Sequence, residues 1–177
     1  MTIPRFYVPG PWTSDRITFP EKASHHAMRV LRMRNGDEAE VFDGEGRTAR
    51  GRTEFSSEGT VLIAESYPEH GRESPLFITL AQAFVSPDKM EWITEKAVEA
   101  GASRIVFFPA ARSVTKLSGD KLTKRLEKLR ATAVSACEQC GRSRIPEIEA
   151  FASAEAMLSG LNADARVILA PSSDPGL

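Results

Sequence analysis

The residues best suited to chemistry form one run, Ala136-Cys137-Glu138-Gln139-Cys140-Gly141-Arg142-Ser143-Arg144. Apolar residues precede it at steps of three and four, which predicts a helix over 121–140 with Gly141 as its left-handed end. A carboxylate, an amide and a guanidinium at the end of a rigid helix can orient a planar polar ligand, such as a base or its phosphate. The simpler interpretation is a capped surface helix with an i,i+4 pair between Glu138 and Arg142.

The charge distribution favours a polyanionic ligand. The net charge is −1 over 177 residues, but residues 104–146 carry ten Lys and Arg against three Asp and Glu. Residues 1–70 carry nine against eleven. A local positive excess of this kind is suited to phosphates, and we therefore prefer RNA or another polyanion over an ordinary solvated helix face.

The two cysteines, Cys137 and Cys140, are predicted to be free packing residues. A zinc site needs four ligands, and no second Cys or His pair has suitable spacing, so we expect no metal. A thioredoxin-like thiolate needs a helix N-terminus, and these cysteines lie in a final turn. Two cysteines without a secretory signal or a membrane-length apolar run predict a soluble cytoplasmic protein with no membrane partner.

The composition and the period of the hydrophobic pattern both change near residue 72, which predicts two domains, 1–70 and 75–177. The first alternates short strands with turns and one small helix, His25–Leu31 capped by Ser24, as in a compact β-barrel. Residues 68–74 read as a linker. The strands predicted for the first domain are 5–8, 38–42, 48–54 and 60–65, with a hairpin-type turn at 43–46.

The second domain has the β-α-β-α pattern of a parallel sheet, α/β in class. Its predicted strands are 76–84, 104–108 and 166–170, and its predicted helices are 87–99, 121–140 and 153–158. Ligands of open α/β sheets bind in loops beyond the carboxyl ends of the strands. Because the chain stops as such a loop begins, at Pro171, we expect a longer protein in which this loop continues.

Basic residues mark two further surfaces. One surrounds Val30 and Leu31 on the small helix of the first domain, where RNA-backbone contact and a solvated face are equally good interpretations. The other follows the carboxyl end of the second α/β strand, where a substrate phosphate would lie. The predicted RNA-binding residues are Arg5, Arg29, Arg32, Arg34, Arg112, Lys116 and Lys121.

Several blocks of residues, taken in their order along the chain, make the sequence similar to the ribosomal RNA small subunit methyltransferase E family. They are Arg29-Val30-Leu31-Arg32-Met33, Val41-Phe42-Asp43-Gly44, Arg72-Glu73-Ser74-Pro75-Leu76, Lys89-Met90-Glu91, Glu95-Lys96-Ala97-Val98-Glu99-Ala100-Gly101, Arg112-Ser113-Val114-Thr115-Lys116-Leu117 and the run from Ala136 through Ile148. The resemblance covers essentially the whole chain, and its Glu-Gln-Cys-Gly-Arg signature is specific.

The resemblance implies a PUA-like RNA-binding β-barrel followed by a SPOUT-type methyltransferase domain whose trefoil-knot region lies largely beyond this chain. It implies a homodimer that methylates uridine N3 in 16S ribosomal RNA of the small subunit with S-adenosyl-L-methionine. The family's Gly-Pro-Glu-Gly-Gly and later Leu-Gly…Leu-Arg segments do not occur here, so only Leu169, Ala170 and Pro171 could line the cofactor cleft. Glu138 would accept the N3 proton or orient the base, and Arg142 would stabilise charge on the uracil oxygens.

Two functions from different classes follow. The first is the uridine-N3 methyltransferase, with Glu138 and Arg142 as catalytic residues. The second is a non-catalytic ribosomal RNA-binding or assembly protein, which applies if the polypeptide truly ends at Leu177. A thiol oxidoreductase using Cys137 and Cys140 is disfavoured by their position in the helix.

Overall fold

A computed structural model of the chain describes residues 3–69, 73–111, 113 and 117–169. Five strands form the first sheet: β1 (Arg5–Tyr7), β2 (Arg16–Thr18), β3 (Glu38–Phe42), β4 (Thr48–Ser56) and β5 (Gly59–Ser66). Their order is β1-β3-β4-β5-β2, with β1 parallel to β3 and the other neighbours antiparallel. The fold is the predicted PUA-like domain.

The first sheet forms because its strands alternate buried and exposed side chains. Along β4, Ala49, Gly51 and Thr53 are buried while the arginines between them are exposed. This period of two directs one face into a core and leaves the other in water. The core is built on large apolar side chains from several strands: Phe6, Val8, Ile17, Phe19, Val41 and Leu62.

The small helix differs from the prediction. Helix α1 spans Glu21–His25 and begins after Pro20, then continues as a π-helical turn over His26–Val30. Ser24 was expected to cap the helix, but it lies inside it, buried, with its hydroxyl 2.6 Å from the Thr60 hydroxyl. The helix begins earlier than Ser24 because the restricted φ of Pro20 favours a helix start at this point.

The second sheet is parallel, with the order β6-β7-β8. Its strands are β6 (Thr79–Ala83), β7 (Arg104–Phe108) and β8 (Glu147–Ala150), and its helices are α2 (Pro87–Glu99), α3 (Gly119–Cys140) and α4 (Ala154–Gly160). Helices α2 and α3 connect consecutive parallel strands and pack on each other through buried side chains such as Met90, Val98, Leu129 and Ala133. The proposed boundary between domains 1–70 and 75–177 falls between the two sheets.

Two predicted strands need correction. The first was expected over 76–84, but β6 begins at Thr79 because it pairs residue by residue with β7, which begins at Arg104. The second was expected over 166–170. Residues 166–169 pair with no strand in the described part of the chain, and Val167, Ile168 and Leu169 are 84–94% exposed. The third strand is instead β8, whose alternating glutamates conceal a buried Ile148.

Gly51 provides a test of the first sheet. A Cβ at this position would lie 1.8 Å from the Ile63 carbonyl oxygen, at the register shift between β4 and β5. We predict that Gly51→Ala lowers the free energy of unfolding by roughly 1–3 kcal/mol, because the backbone must move to admit the methyl group. Urea denaturation measures the change. The control is Gly36→Ala, which carries the cost of a positive φ (+87°) that Gly51 does not have, and which meets no atom within 4 Å. A loss for Gly51→Ala no larger than the loss for Gly36→Ala would contradict the clash.

Candidate functional site

The signature run ends helix α3 as predicted but does not form the predicted ion pair. Gly141 has φ +86° and its amide donates to the Cys137 carbonyl at 3.1 Å. Beyond this stop the two charged side chains diverge. The Glu138 carboxylate accepts the Tyr7 amide of β1 at 3.0 Å. Arg142 instead turns into the second domain, so the two residues have different partners.

Arg142 is buried, with 5% of its surface exposed. Its Nη1 donates to the carbonyls of Val98 and Ala102 at 3.1 and 2.8 Å, where α2 ends. Its Nε and Nη2 both donate to Oε2 of Glu73, at 3.0 and 2.9 Å. A guanidinium in this geometry fixes the end of one helix and a carboxylate at the same time.

Glu73 lies in the segment between the sheets and receives four N–H donors. Two come from Arg142, and the other two are the amides of Ser143 and Arg144, which donate to Oε1 at 2.9 and 3.0 Å. Burial by itself would raise the pKa of this carboxyl, but the hydrogen bonds from Arg142, Arg144 and Ser143 outweigh it and hold the pKa below 4.5. Glu73 is therefore an ionised anchor that ties the interdomain segment to the signature.

Arg5 makes the corresponding connection from the first domain. Its Nε lies 2.5 Å from the Glu40 carboxylate, and its Nη1 donates to the carbonyls of Cys137 and Arg142 at 2.8 and 3.1 Å. Carbonyls at a helix C-terminus lack intrahelical donors, so this guanidinium satisfies them. Arg5 was predicted to contact RNA. With 11% of its side chain exposed, it lies between the domains instead of on a free cationic surface.

The turn at 43–46 completes the junction. The Ile145 amide donates to the Gly44 carbonyl at 2.9 Å, and the Gly46 amide donates to the Ser143 carbonyl at 3.1 Å. Gly44 has φ +86°, and a Cβ there would lie 2.9 Å from Ile145 Cδ1, so only glycine fits without movement. We call these contacts, together with those of Arg5, Glu73, Glu138 and Arg142, the interdomain junction.

The junction lies at the edge of the second sheet where its parallel strands begin, not at the edge where they end. Helix α3 leaves the carboxyl end of β7 and returns the chain to the amino end of β8. Its last turn, with Glu138, therefore lies near the amino ends of the strands, as the contacts of Arg142 with Ala102 also require. This position separates Glu138 and Arg142 from the carboxyl-end loops of their own sheet. Their catalytic roles stay predictions.

The carboxyl edge of the second sheet lies where β6 ends at Ala83 and β7 ends at Phe108. Ser113 connects two of its loops, accepting the Ala110 amide at 3.0 Å and donating to the Phe84 carbonyl at 3.2 Å. Lys121 is exposed in the first turn of α3. Leu169, a predicted cofactor residue, is 94% exposed. Arg112, Lys116, Ala170 and Pro171 lie outside the described residues.

Three of the predicted RNA-binding arginines of the first domain are exposed, and their contact with RNA stays a prediction. Arg29 lies in the π-helical turn, Arg32 follows the turn with φ +55°, and Arg34 precedes β3. In the described residues no carboxylate lies within 4 Å of any of the three guanidiniums, so their charges are available to an external anion. The structure thus divides the predicted RNA contacts into exposed cations and the enclosed Arg5.

The cysteines lie near the end of α3, on the side that packs against the core of the second domain. Cys137 is buried, and burial raises the pKa of its thiol to about 12. A protonated thiol of this kind is a packing group and not a nucleophile. The described part of the chain contains no group of three or more His, Cys, Asp or Glu residues that could hold a metal ion. None of its helices is long and apolar enough to cross a membrane.

Comparison with known proteins gives the family. A family model of an RNA methyltransferase domain matches residues 72–177, and one of an RNA methyltransferase PUA domain matches residues 19–64. The chain belongs to the RNA methyltransferase family. It is 34% identical over 126 residues to ribosomal RNA small subunit methyltransferase E of Bacillus subtilis and 35% identical over 128 residues to that of Mycobacterium bovis. The resemblance to methyltransferase E proteins is therefore confirmed.

Solved structures agree with this assignment. The structure of a methyltransferase of Legionella pneumophila in complex with the bound cofactor S-adenosylmethionine superposes on this chain with a TM-score of 0.89 at 28% identity. The superposition covers 98% of this chain and 72% of the Legionella chain. Methyltransferase E of Neisseria gonorrhoeae, bound to S-adenosyl methionine, gives 0.74 at 30% identity, covering 84% and 63%. The alignments with the Bacillus and Mycobacterium proteins cover 70% of this chain but 49% and 47% of those relatives, so the chain spans about half their length.

Glu73 is the residue of the interdomain junction that sequence reasoning missed. It was placed in a linker, although it falls within the Arg72-Glu73-Ser74 block that carries part of the resemblance. A lone carboxylate between two domains gives no periodic signal. Its partners are 69–71 residues away in sequence, so only the fold reveals them.

Acid should weaken the junction through Glu73. Because its folded pKa lies below 4.5, its ionised form stabilises the fold above about pH 4.5, and this contribution is lost as pH falls through the folded pKa. We predict that Glu73→Gln lowers the thermal midpoint at pH 7 and that its difference from wild type shrinks below pH 4.5. Glu58→Gln, the same change in the exposed turn between β4 and β5, is the control. A wild-type–variant difference that stays constant down to pH 3 would contradict this role.

Proposed function

We propose that this chain is part of an S-adenosyl-L-methionine-dependent enzyme that methylates uridine N3 in 16S ribosomal RNA. The observation that carries the proposal is the likeness of nearly the whole chain to a cofactor-bound methyltransferase, at a TM-score of 0.89. The names of its curated relatives support the small-subunit substrate. We further propose a cytoplasmic homodimer acting on the small ribosomal subunit.

The carboxyl edge of the second sheet is the proposed cofactor side. Parallel strands β6, β7 and β8 end there, and open α/β sheets bind ligands beyond such ends. The exposed side chain of Leu169 offers apolar surface suited to an adenine ring, and we propose that Ala170 and Pro171 continue the same wall. When bound, the sulfonium cofactor supplies the methyl group; uridine N3 gains it and loses its proton.

The cationic residues are proposed to hold the RNA through phosphates. Lys121 lies at the carboxyl edge, and we propose that Arg112 and Lys116 contribute to the same surface. The exposed arginines 29, 32 and 34 supply a second contact on the first domain. Phosphate contacts fix the register of the RNA, and the two domains must therefore keep a fixed spacing for the reacting uridine to reach the cofactor.

We propose that Glu138, Arg142 and Arg5 serve the reaction by fixing that spacing. Each is a positioning residue, because the partners the structure gives it are groups of the protein itself. A direct role for Glu138 as proton acceptor, and for Arg142 in stabilising uracil charge, is the competing proposal.

Methyl transfer tests the enzyme. We predict that the full-length protein transfers labelled methyl from S-adenosylmethionine to small subunits lacking the modification, with 3-methyluridine as the product identified by nucleoside mass spectrometry. Ser113→Ala, which breaks the link between two carboxyl-edge loops, should lower the rate more than Ser57→Ala in the exposed β4–β5 turn. RNA binding without any methyl transfer would favour the non-catalytic assembly protein.

Glu138→Gln separates the two proposals for the signature. Glutamine keeps a carbonyl oxygen for the Tyr7 amide but cannot accept a proton as a carboxylate does. As a positioning residue, Glu138 should tolerate this change with a rate within a few-fold of wild type, whereas Glu138→Leu should lower both rate and thermal midpoint. A loss of about 10²–10⁴ in rate for Glu138→Gln, with the midpoint unchanged, would instead establish the catalytic role.

Salt dependence tests the phosphate contacts. We predict that Lys121→Ala flattens the slope of log K against log salt for RNA by about one unit, because one fewer counterion is released. Lys96→Ala is the matched control, since Lys96 is already paired with Glu95 and Glu99 on α2. An unchanged slope for Lys121→Ala would remove this residue from the RNA surface.

A further inference from the structure

A surface pocket of the first domain combines apolar walls with cations. It encloses about 410 Å³ and is lined by Met28, Arg29, Met33, Arg34, Asn35 and Phe55. Small-molecule sites occupy roughly 300–1,000 Å³, so the volume admits one flat ring system. We call it the Phe55 pocket.

The apolar walls of the Phe55 pocket are held in place from behind. Met33 and Phe55 are partly buried and pack on the core of the first domain, while Met28 is 38% exposed. An aromatic ring and thioether sulfurs are soft, polarisable surfaces on which a planar base stacks.

The polar rim is complementary to a nucleotide. Arg29 and Arg34 line the pocket without a carboxylate within 4 Å in the described residues, which suits a phosphate. The Asn35 side-chain oxygen accepts the Phe55 amide at 2.7 Å. The NH₂ group of Asn35 is thereby left to donate to a carbonyl oxygen of a base.

The backbone beside the pocket is unusual for its sequence. Residues 26–30 form a π-helical turn, and Arg32 has φ +55°. Both features cost free energy and are frequent at functional sites. Met28 and Arg29 of this turn line the pocket, and the Met33 amide closes the turn by donating to the Ala27 carbonyl at 3.0 Å.

We propose that the Phe55 pocket binds one unstacked base of single-stranded RNA, with Arg29 and Arg34 on its flanking phosphates. The inference rests on the proposed RNA substrate and deepens it, because the first domain would then recognise an exposed base in addition to the charge of the backbone. Single-stranded segments whose bases are splayed out are the usual targets of such aromatic sites.

Base and phosphate contributions can be measured separately. The probes are oligouridine and an abasic oligomer of equal length and charge, titrated by fluorescence anisotropy at several salt concentrations with the full-length protein. We expect Phe55→Leu to weaken binding of oligouridine roughly 5-fold or more and to leave the abasic oligomer within twofold. Arg29→Ala should weaken both and flatten both salt slopes by about one unit.

Controls keep the test specific. Val30→Ala changes a 60% exposed residue of the same turn outside the pocket and should alter neither affinity. Met28→Ala is the second pocket variant. It tests the pocket independently if Phe55→Leu lowers the thermal midpoint of the protein. If both pocket variants bind oligouridine as wild type does, or lose affinity for both oligomers equally, the proposal is overturned.

The outcome is independent of the enzyme assay. Base discrimination that is lost in the pocket variants, in a protein that transfers no methyl group, would support the pocket and refute the proposed reaction. Normal methyl transfer by the protein, together with unchanged RNA affinity in the pocket variants, would support the proposed reaction and refute the pocket. Binding of an apolar peptide in place of the base-containing RNA would also overturn the inference.

Discussion

One carboxylate ties the segment between the two sheets to the signature run. Glu73 receives two N–H groups from Arg142 and two backbone amides, those of Ser143 and Arg144, at 2.9–3.0 Å. A largely buried charge is costly unless it is paired and hydrogen-bonded, and here each oxygen has two donors. Because Arg142 also binds the carbonyls at the end of α2, displacing Glu73 would leave a buried guanidinium with half of its partners.

This constraint explains why the signature is so rich in polar residues. A helix end exposes carbonyls that need donors, and Arg5 of the first domain supplies them. Glu138 of the second domain also contacts the first domain, because its carboxylate accepts a hydrogen bond from the Tyr7 amide. The sequence pattern that indicates a reactive centre is thus also the pattern of a junction at the amino edge of the second sheet.

Local signals made parts of the fold predictable. Pro87 at the start and Gly101 after the end define α2 to the residue, and the apolar run at 104–108 defines β7. Strand β8 was missed because its glutamates alternate with apolar residues over only four positions. The run at 166–169 was taken for a strand because apolar content alone does not show whether a pairing partner exists.

The candidate site was less predictable, for a physical reason. The residue types at its centre were recognised, but their partners come from segments far away in sequence, so the direction of each side chain depends on tertiary structure. Glu138 and Arg142 illustrate this, since a four-residue spacing suggests one pair and the fold makes two separate contacts. Arg29, Arg32 and Arg34 are exposed without an ion pair in the described residues, so their exposure did not depend on distant partners.

A double-mutant cycle between Glu73 and Arg142 tests the central claim most directly. Free energies of unfolding are measured for wild type, Glu73→Gln, Arg142→Lys and the double variant. If the pair anchors the interdomain segment to the signature run, the double variant should lose at least about 1 kcal/mol less than the sum of the single losses, as contacting residues in one network do. Single losses that add to within roughly 0.5 kcal/mol would show that the two residues act independently and would contradict the account.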